Sequence, residues 1–208
     1  MEKKNIILIC VSILVIVGLF FASSIVNKKE KENEDKYKNQ VVEIKVKDYG
    51  SIIVSLDYDN APITVKNFIQ LVEDKFYDGL TFHRIIDGFM IQGGSFDEDG
   101  NKKDAKTIKG EFTSNGVDNK ISHTRGVISM ARATDPNSGS SGFFIVHEDY
   151  PSLDGQYAAF GKVLTGMDVV DRIVEDSNPI DDNGGIELED RPIIESIRLV
   201  PKVNAYEE

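Results

Sequence analysis

The sequence predicts a mainly β domain, a closed antiparallel barrel with two α-helices capping its ends. Three observations carry this. Short apolar segments with period-two alternation recur along the chain, separated by clusters of Gly, Ser, Pro and Asp. Only two segments show the i, i+3, i+4, i+7 spacing of a one-faced helix. Once an apolar N-terminal run is set aside, about 170 residues remain, enough for one domain with a sizeable core. No self-similarity at a period of about 20 to 50 residues is visible, which removes solenoids and propellers.

Taken in order, residues 6–26 carry no charge and follow Lys3 and Lys4. At the rise of an α-helix they span about 31 Å, enough to cross a bilayer. Their length favours an uncleaved signal-anchor over a cleaved signal peptide, although Ala22, Ser23 and Ser24 offer small residues to a peptidase. Residues 1–5 are then a cytoplasmic N-terminus. Lys28, Lys29 and Lys31 compete in the positive-inside count, but a large following domain translocates largely regardless of flanking charge. The expectation is a single-pass protein of the cell membrane with its domain extracytoplasmic. Residues 27–40, NKKEKENEDKYKNQ, read as a charged, solvated linker, and the folded domain occupies residues 41–208.

Val42, Ile44 and Val46 alternate with Glu43, Lys45 and Lys47, and Ile52, Val54 and Leu56 continue the pattern after the turn at residues 48–51, so a β-hairpin opens the domain. Asn60-Ala61-Pro62 signals a helix start, and Val65, Phe68, Ile69 and Val72 form its apolar stripe. The run FHRIIDGFMIQGG, residues 82–94, sets two apolar segments around Asp87-Gly88. Residues 95–111 read as a long loop. Its Asp97, Asp99 and Asn101 imitate a calcium loop, but Lys102 and Ile108 stand where the sharp-turn glycine and bidentate acid belong. Residues 126–131, 143–146 and 158–163 are three more short strands. Met167, Val170, Ile173 and Val174 form the buried side of a second helix, and NPIDDNGG leads to a last strand over 193–200.

Composition excludes several functions. Lys and Arg number 24 against 35 Asp and Glu, a formal charge of −11, and no basic stripe with interleaved aromatics occurs. Such a field repels nucleic acid. The one cysteine, Cys10, lies in the apolar run, so an intrachain disulfide or thiolate cluster is impossible. His83, His123 and His147 lack metal-site spacing and read as structural. SGSSG, residues 138–142, does not match a nucleophile elbow and reads as a flexible loop. Neither a P-loop nor a dinucleotide fingerprint is present, and no cofactor or metal is implied.

The run over 82–94 is unusual because Arg84 and Gln92 mix with Phe89, Met90 and Ile91. On a strand Met90 and Gln92 share one face and Ile91 takes the other. Pattern alone leaves a plain alternative, a surface ion pair between Arg84 and an acid over ordinary core aromatics.

FHRIIDGFMIQGG, GVISMARA, SSGFFIV and LDGQYAAFGKV, in this order and spacing, resemble the cyclophilin family of peptidyl-prolyl cis-trans isomerases from about Val42 to Val200. The resemblance implies an eight-stranded antiparallel barrel closed by two helices, with a peptide groove on its outer face. It implies Arg84 as the catalytic arginine, Gln92 beside it, and a proline pocket formed by Phe89, Met90, Phe144 and Leu153. Ala131 and Arg132 match the strand that meets the peptide backbone, where the family often has Asn at the second position. Tyr157 matches the bacterial-type members. The partners implied are proline-containing peptides and unfolded or exported proteins, with the membrane reached through the N-terminal helix and the protein a monomer. Two departures stand out. Gly142 replaces an amide residue, which leaves a binding or chaperone module without turnover as the alternative function. Ser152 replaces a tryptophan on which the family's cyclic-peptide inhibitor often packs, so weak inhibition is expected.

Overall fold

The computed structural model describes residues 34–201. The membrane segment expected over residues 6–26 lies outside them. Lys38 onward forms one compact unit, and residues 34–37 belong to another, in which the Tyr37 amide donates to the Glu34 carbonyl.

Strands β1 (Val41–Val46) and β2 (Gly50–Leu56) form the opening hairpin, with Val42 opposite Val54 and Ile44 opposite Ile52. Val42, Ile44 and Val46 are buried and Lys45 is exposed, as their alternation predicts. Helix α1 (Pro62–Glu73) buries Val65, Phe68, Ile69 and Val72. Asn60 does not cap it, because its amide is engaged with Asp57. The cap is instead Glu111, from far along the chain, whose carboxylate accepts the Ile63 and Thr64 amides at 2.9 and 2.7 Å. A buried anion here satisfies orphan N–H groups and meets the positive end of the helix.

Strands β3 (Leu80–Ile86) and β4 (Met90–Asp97) are joined by a three-residue turn with Gly88 at φ 70°. Because β4 runs to Asp97, the expected long loop begins three residues later than Ser95. The rest of the sheet is β5 (Val127–Met130), β6 (Phe143–Val146), β7 (Ala158–Thr165) and β8 (Ile194–Val200). Helix α2 (Met167–Asp176) buries Val169, Val170, Ile173 and Val174. Met167, expected in that stripe, is only half-buried; Val169 takes the place.

All pairings are antiparallel, in the order β3-β4-β6-β5-β7-β2-β1-β8. The expected closed barrel is corrected by the seam between β3 and β8, where the ladder does not continue. Among the described residues, the backbone contacts that cross it are the isolated bridge Thr81–Ile193 and the bonds Gly79 N to Ile194 O and Phe82 N to Pro192 O. Pro192 has no N–H to donate, so a regular ladder cannot extend through it. The eight strands therefore form an open, barrel-like sheet.

Inside the sheet, Phe143 meets Phe68, Tyr77 and Phe82 edge-on, with centroids 5.6 to 6.0 Å apart. These rings seat α1 against the sheet. The Tyr77 hydroxyl donates to the Ser141 carbonyl, and burial pushes its phenol well above the ordinary range.

Candidate active site

Side chains on β6 alternate between two environments. Phe143 and Ile145 face the interior, whereas Phe144 and Val146 join Met90, Val127 and Ala159 in a second cluster on the outer face. Gln92 pairs with Phe144 and Met90 with Val146, so the expected common face of Met90 and Gln92 is the one Phe144 occupies. Phe89, Ala131, Leu153 and Tyr157 pack at the margin of this cluster. Phe144 meets Tyr157 edge-on at 5.8 Å.

Arg84 reaches that face through a backbone irregularity. Strict alternation puts Phe82 and Arg84 on one side, but the β3–β4 register shifts between them. The extra residue, His83, lets Phe82 point into the core while Arg84 points out. The guanidinium is then held from several sides. Nε donates to the Asn183 carbonyl at 2.6 Å and Nη1 to Gln92 Oε1 at 3.3 Å. Its carbon lies 5.8 Å from the centre of the Phe89 ring. Among the described residues Arg84 forms no salt bridge, so the plain alternative of a surface ion pair is not what the fold builds. Desolvation lowers its pKa, offset in part by Tyr157 and Asp181.

Arg132 leans over the rings of Tyr157 and Phe112 at 4.7 and 5.2 Å and donates from Nε to the Gln156 carbonyl at 3.0 Å. Ala131 is fixed by its amide, which donates to the Gly142 carbonyl at 2.9 Å. Leu153 closes the turn Pro151–Leu153, where Ser152 is exposed. All nine residues singled out from the sequence, Arg84, Phe89, Met90, Gln92, Ala131, Arg132, Phe144, Leu153 and Tyr157, line one cavity of about 180 Å³. Two guanidinium groups beside an apolar floor give it hydrogen-bond donors next to an apolar recess.

Sequence reasoning missed the residues behind this wall. His83 Nε2 lies 3.5 Å from Gln92 Nε2; an amide nitrogen only donates, so the imidazole accepts and turns Oε1 toward Arg84. Burial, then Arg191 and Arg84, pull the His83 pKa down to about 4. His123 is buried and stacks on Phe144 at 6.1 Å, its ring held between Asp154 Oδ1 at 2.9 Å and Ser129 Oγ at 3.0 Å. Desolvation lowers the His123 pKa. Burial works to raise that of Asp154, but hydrogen bonds from Ser122 and His123 outweigh it and the net shift is downward. The Ser129–His123–Asp154 order resembles a hydrolytic triad, yet Ser129 is fully buried and reaches no substrate. Here it supports the pocket floor. Asn183 belongs to NPIDDNGG, which the sequence shows only as a connection; its conformation is set by Asp181, which accepts the Asn183 and Gly185 amides. Among the described residues no group of three His, Cys, Asp or Glu is placed to hold a metal ion.

A family model for cyclophilin type peptidyl-prolyl cis-trans isomerases matches residues 41–198. The chain belongs to this family. A peptidyl-prolyl cis-trans isomerase of Acinetobacter baylyi is 46% identical over 141 residues, 65% of this chain and 72% of its own. Peptidyl-prolyl cis-trans isomerase B of Escherichia coli is 40% identical over 133 residues, 60% of this chain and 79% of its own. Among solved structures, a cyclophilin of Cryptosporidium parvum matches with a TM-score of 0.67 and 29% identity, over 79% of this chain and 99% of its own. That cyclophilin has also been solved in the presence of the dipeptide Ala-Pro, with a TM-score of 0.66. The chain is thus an isomerase of the cyclophilin type.

In cyclophilin terms the main departure is Gly142. A Cβ there would lie 2.7 Å from Ser95 Oγ and 3.5 Å from the Ala131 methyl group. Ser95 thus takes up space that a side chain at position 142 would claim.

Proposed function

We propose that the domain accelerates X-Pro isomerisation with Arg84 as the donor that stabilises the twisted amide, and that it does so during folding of exported proteins. Rotation about the peptide bond costs about 18 to 20 kcal/mol because the nitrogen lone pair is delocalised into the carbonyl. Lowering that barrier by about 4 to 7 kcal/mol converts an exchange of tens to hundreds of seconds into an ordinary enzymatic rate. No covalent bond breaks. In the twisted state the prolyl nitrogen becomes pyramidal and basic, and a guanidinium beside it donates a hydrogen bond that the planar amide accepts poorly.

The observation that carries this reading is the way Arg84 is held. Nε and Nη1 are bound to Asn183 and Gln92, while Nη2 makes no hydrogen bond among the described residues. A preorganised cation with an unspent donor edge, beside an apolar recess, suits a charge that appears only in the transition state. One charged hydrogen bond contributes about 1.5 to 3 kcal/mol, so Phe89, Met90, Phe144 and Leu153 must add orientation and a less polar surrounding for the amide. Lysine is a poor substitute, because a point charge cannot hold Asn183 and Gln92 and still present a second edge. Ala131 and Arg132 are assigned to the peptide backbone and Tyr157 to the side of the ring.

The place of action is read from the sequence. Residues 6–26 serve as a signal-anchor in a bacterial membrane, and the monomeric domain meets exported chains outside it, where slow X-Pro steps limit folding. A proline-peptide isomerisation assay tests the reaction. Acceleration that saturates with peptide supports it, and peptide binding without acceleration makes the chain a binding module. Cleavage of the domain by protease added to intact cells tests its location; full protection contradicts an extracytoplasmic domain.

A further inference from the structure

We propose that His147 is a positioning residue for the isomerase, setting the turn that carries Phe89 through the acceptor on its ring. The inference rests on the assignment of Phe89 to the proline pocket.

His147 follows β6 directly and lies behind the Asp87-Gly88-Phe89 turn, holding it by two bonds. Its backbone amide donates to the Phe89 carbonyl at 2.8 Å, and its ring Nδ1 accepts the Gly88 amide at 3.1 Å. Gly88 needs this hold because the turn is made by its left-handed backbone, φ 70°, with only one further short-range bond, Phe89 N to Ile86 O at 3.1 Å. Phe89 in turn packs on Tyr150 at 4.3 Å and under the Arg84 guanidinium. A displacement of Gly88 therefore moves one wall of the pocket and one support of the cation.

The partners fix the tautomer. A backbone N–H only donates, so Nδ1 must carry the lone pair and Nε2 the proton. Nε2 lies 3.2 Å from Asp171 Oδ1 on α2, a carboxylate that Arg125 also grips at 2.7 and 2.8 Å. Arg125 further donates to the His147 carbonyl at 2.7 Å, so the ring has a rigid back. The Asp87 carboxylate lies 3.5 Å from Nδ1 and is highly exposed, so it does not compete with the Gly88 amide for the ring. The remaining charges around this cleft are Glu148 beside Arg125, Glu175 on α2 and Asp149, which accepts the Arg125 amide.

The test uses three variants of the full chain, with kcat and KM measured separately and the Gly88 amide followed by NMR. His147→Phe removes the acceptor and is expected to lose about threefold or more in kcat/KM, mainly through KM, with the Gly88 amide resonance shifted. His147→Asn keeps an acceptor where Nδ1 sits, so it should recover most of that loss and return the Gly88 amide toward its wild-type position. Full activity in His147→Phe overturns the proposal, as does a His147→Asn variant no better than His147→Phe. If Phe89→Ala lowers kcat/KM while the His147 variants do not, the His147 role alone fails. If Phe89→Ala is also silent, the pocket assignment fails with it.

Discussion

Phe143 and Phe144 are chain neighbours on one four-residue strand, and they meet opposite surroundings. Phe143 is enclosed by Phe68, Tyr77 and Phe82. Phe144 is supported from behind by His123 and from the side by Tyr157, and its remaining side faces the cavity. The difference shows how one strand serves two purposes. The inner ring completes a core enclosed on every side; the outer ring keeps one side open to the cavity, where the proposed function seats the prolyl ring.

Exchanging the two rings for alanine breaks this contrast most strongly. Phe143→Ala should cost about 3 to 5 kcal/mol in denaturant unfolding, with kcat/KM of the folded fraction changed by less than about threefold. Phe144→Ala should cost about 2 to 3 kcal/mol, since one side already lacks neighbours, and lower kcat/KM at least tenfold. Equal kinetic losses in the two variants would remove the division of labour.

Acid sharpens the comparison from the side of Arg84. The His83 pKa is held at about 4, against 6.5 for the exposed ring. The unfolded chain therefore binds a proton that the native state refuses. The associated stability is fully present above pH 6.5 and is lost as pH falls toward 4. At pH 4.5 the loss is about 2 to 3 kcal/mol, and His83→Gln should remove most of it in urea titrations at pH 7 and 4.5. A pH-independent difference between the two proteins would contradict this.

Across the groove the expected effect is smallest. At Gly142 a new Cβ meets the hydroxyl of Ser95, which can rotate away, rather than backbone. Gly142→Ala should destabilise by less than about 1 kcal/mol and change kcat/KM by less than about threefold. A larger kinetic loss would mean that substrate uses the open space at this position.

These positions also show what the chain discloses before it is folded. The hairpin and the stripe of α1 are legible because Val42, Ile44 and Val46, or Val65, Phe68 and Ile69, interact within a few residues of each other. The Glu111 cap is hidden, since 48 positions separate it from Ile63. Likewise the seam at Thr81–Ile193 depends on where the last strand arrives, which no local pattern records. Arg84 was legible as an oddity, but the register shift at His83 that turns it outward is a property of the β3–β4 pair. The nine pocket residues emerged together only through the order of four motifs resembling the cyclophilins. His123, Asp154 and Asn183 did not, because support from behind leaves no spacing to read.

The central claim is that Arg84 stabilises the twisted amide rather than the fold. Its most direct test is kcat/KM of Arg84→Ala in the proline-peptide assay, with thermal unfolding measured on the same sample. The account predicts at least a tenfold loss with peptide affinity and melting temperature nearly unchanged; wild-type kcat/KM in the folded variant would contradict it.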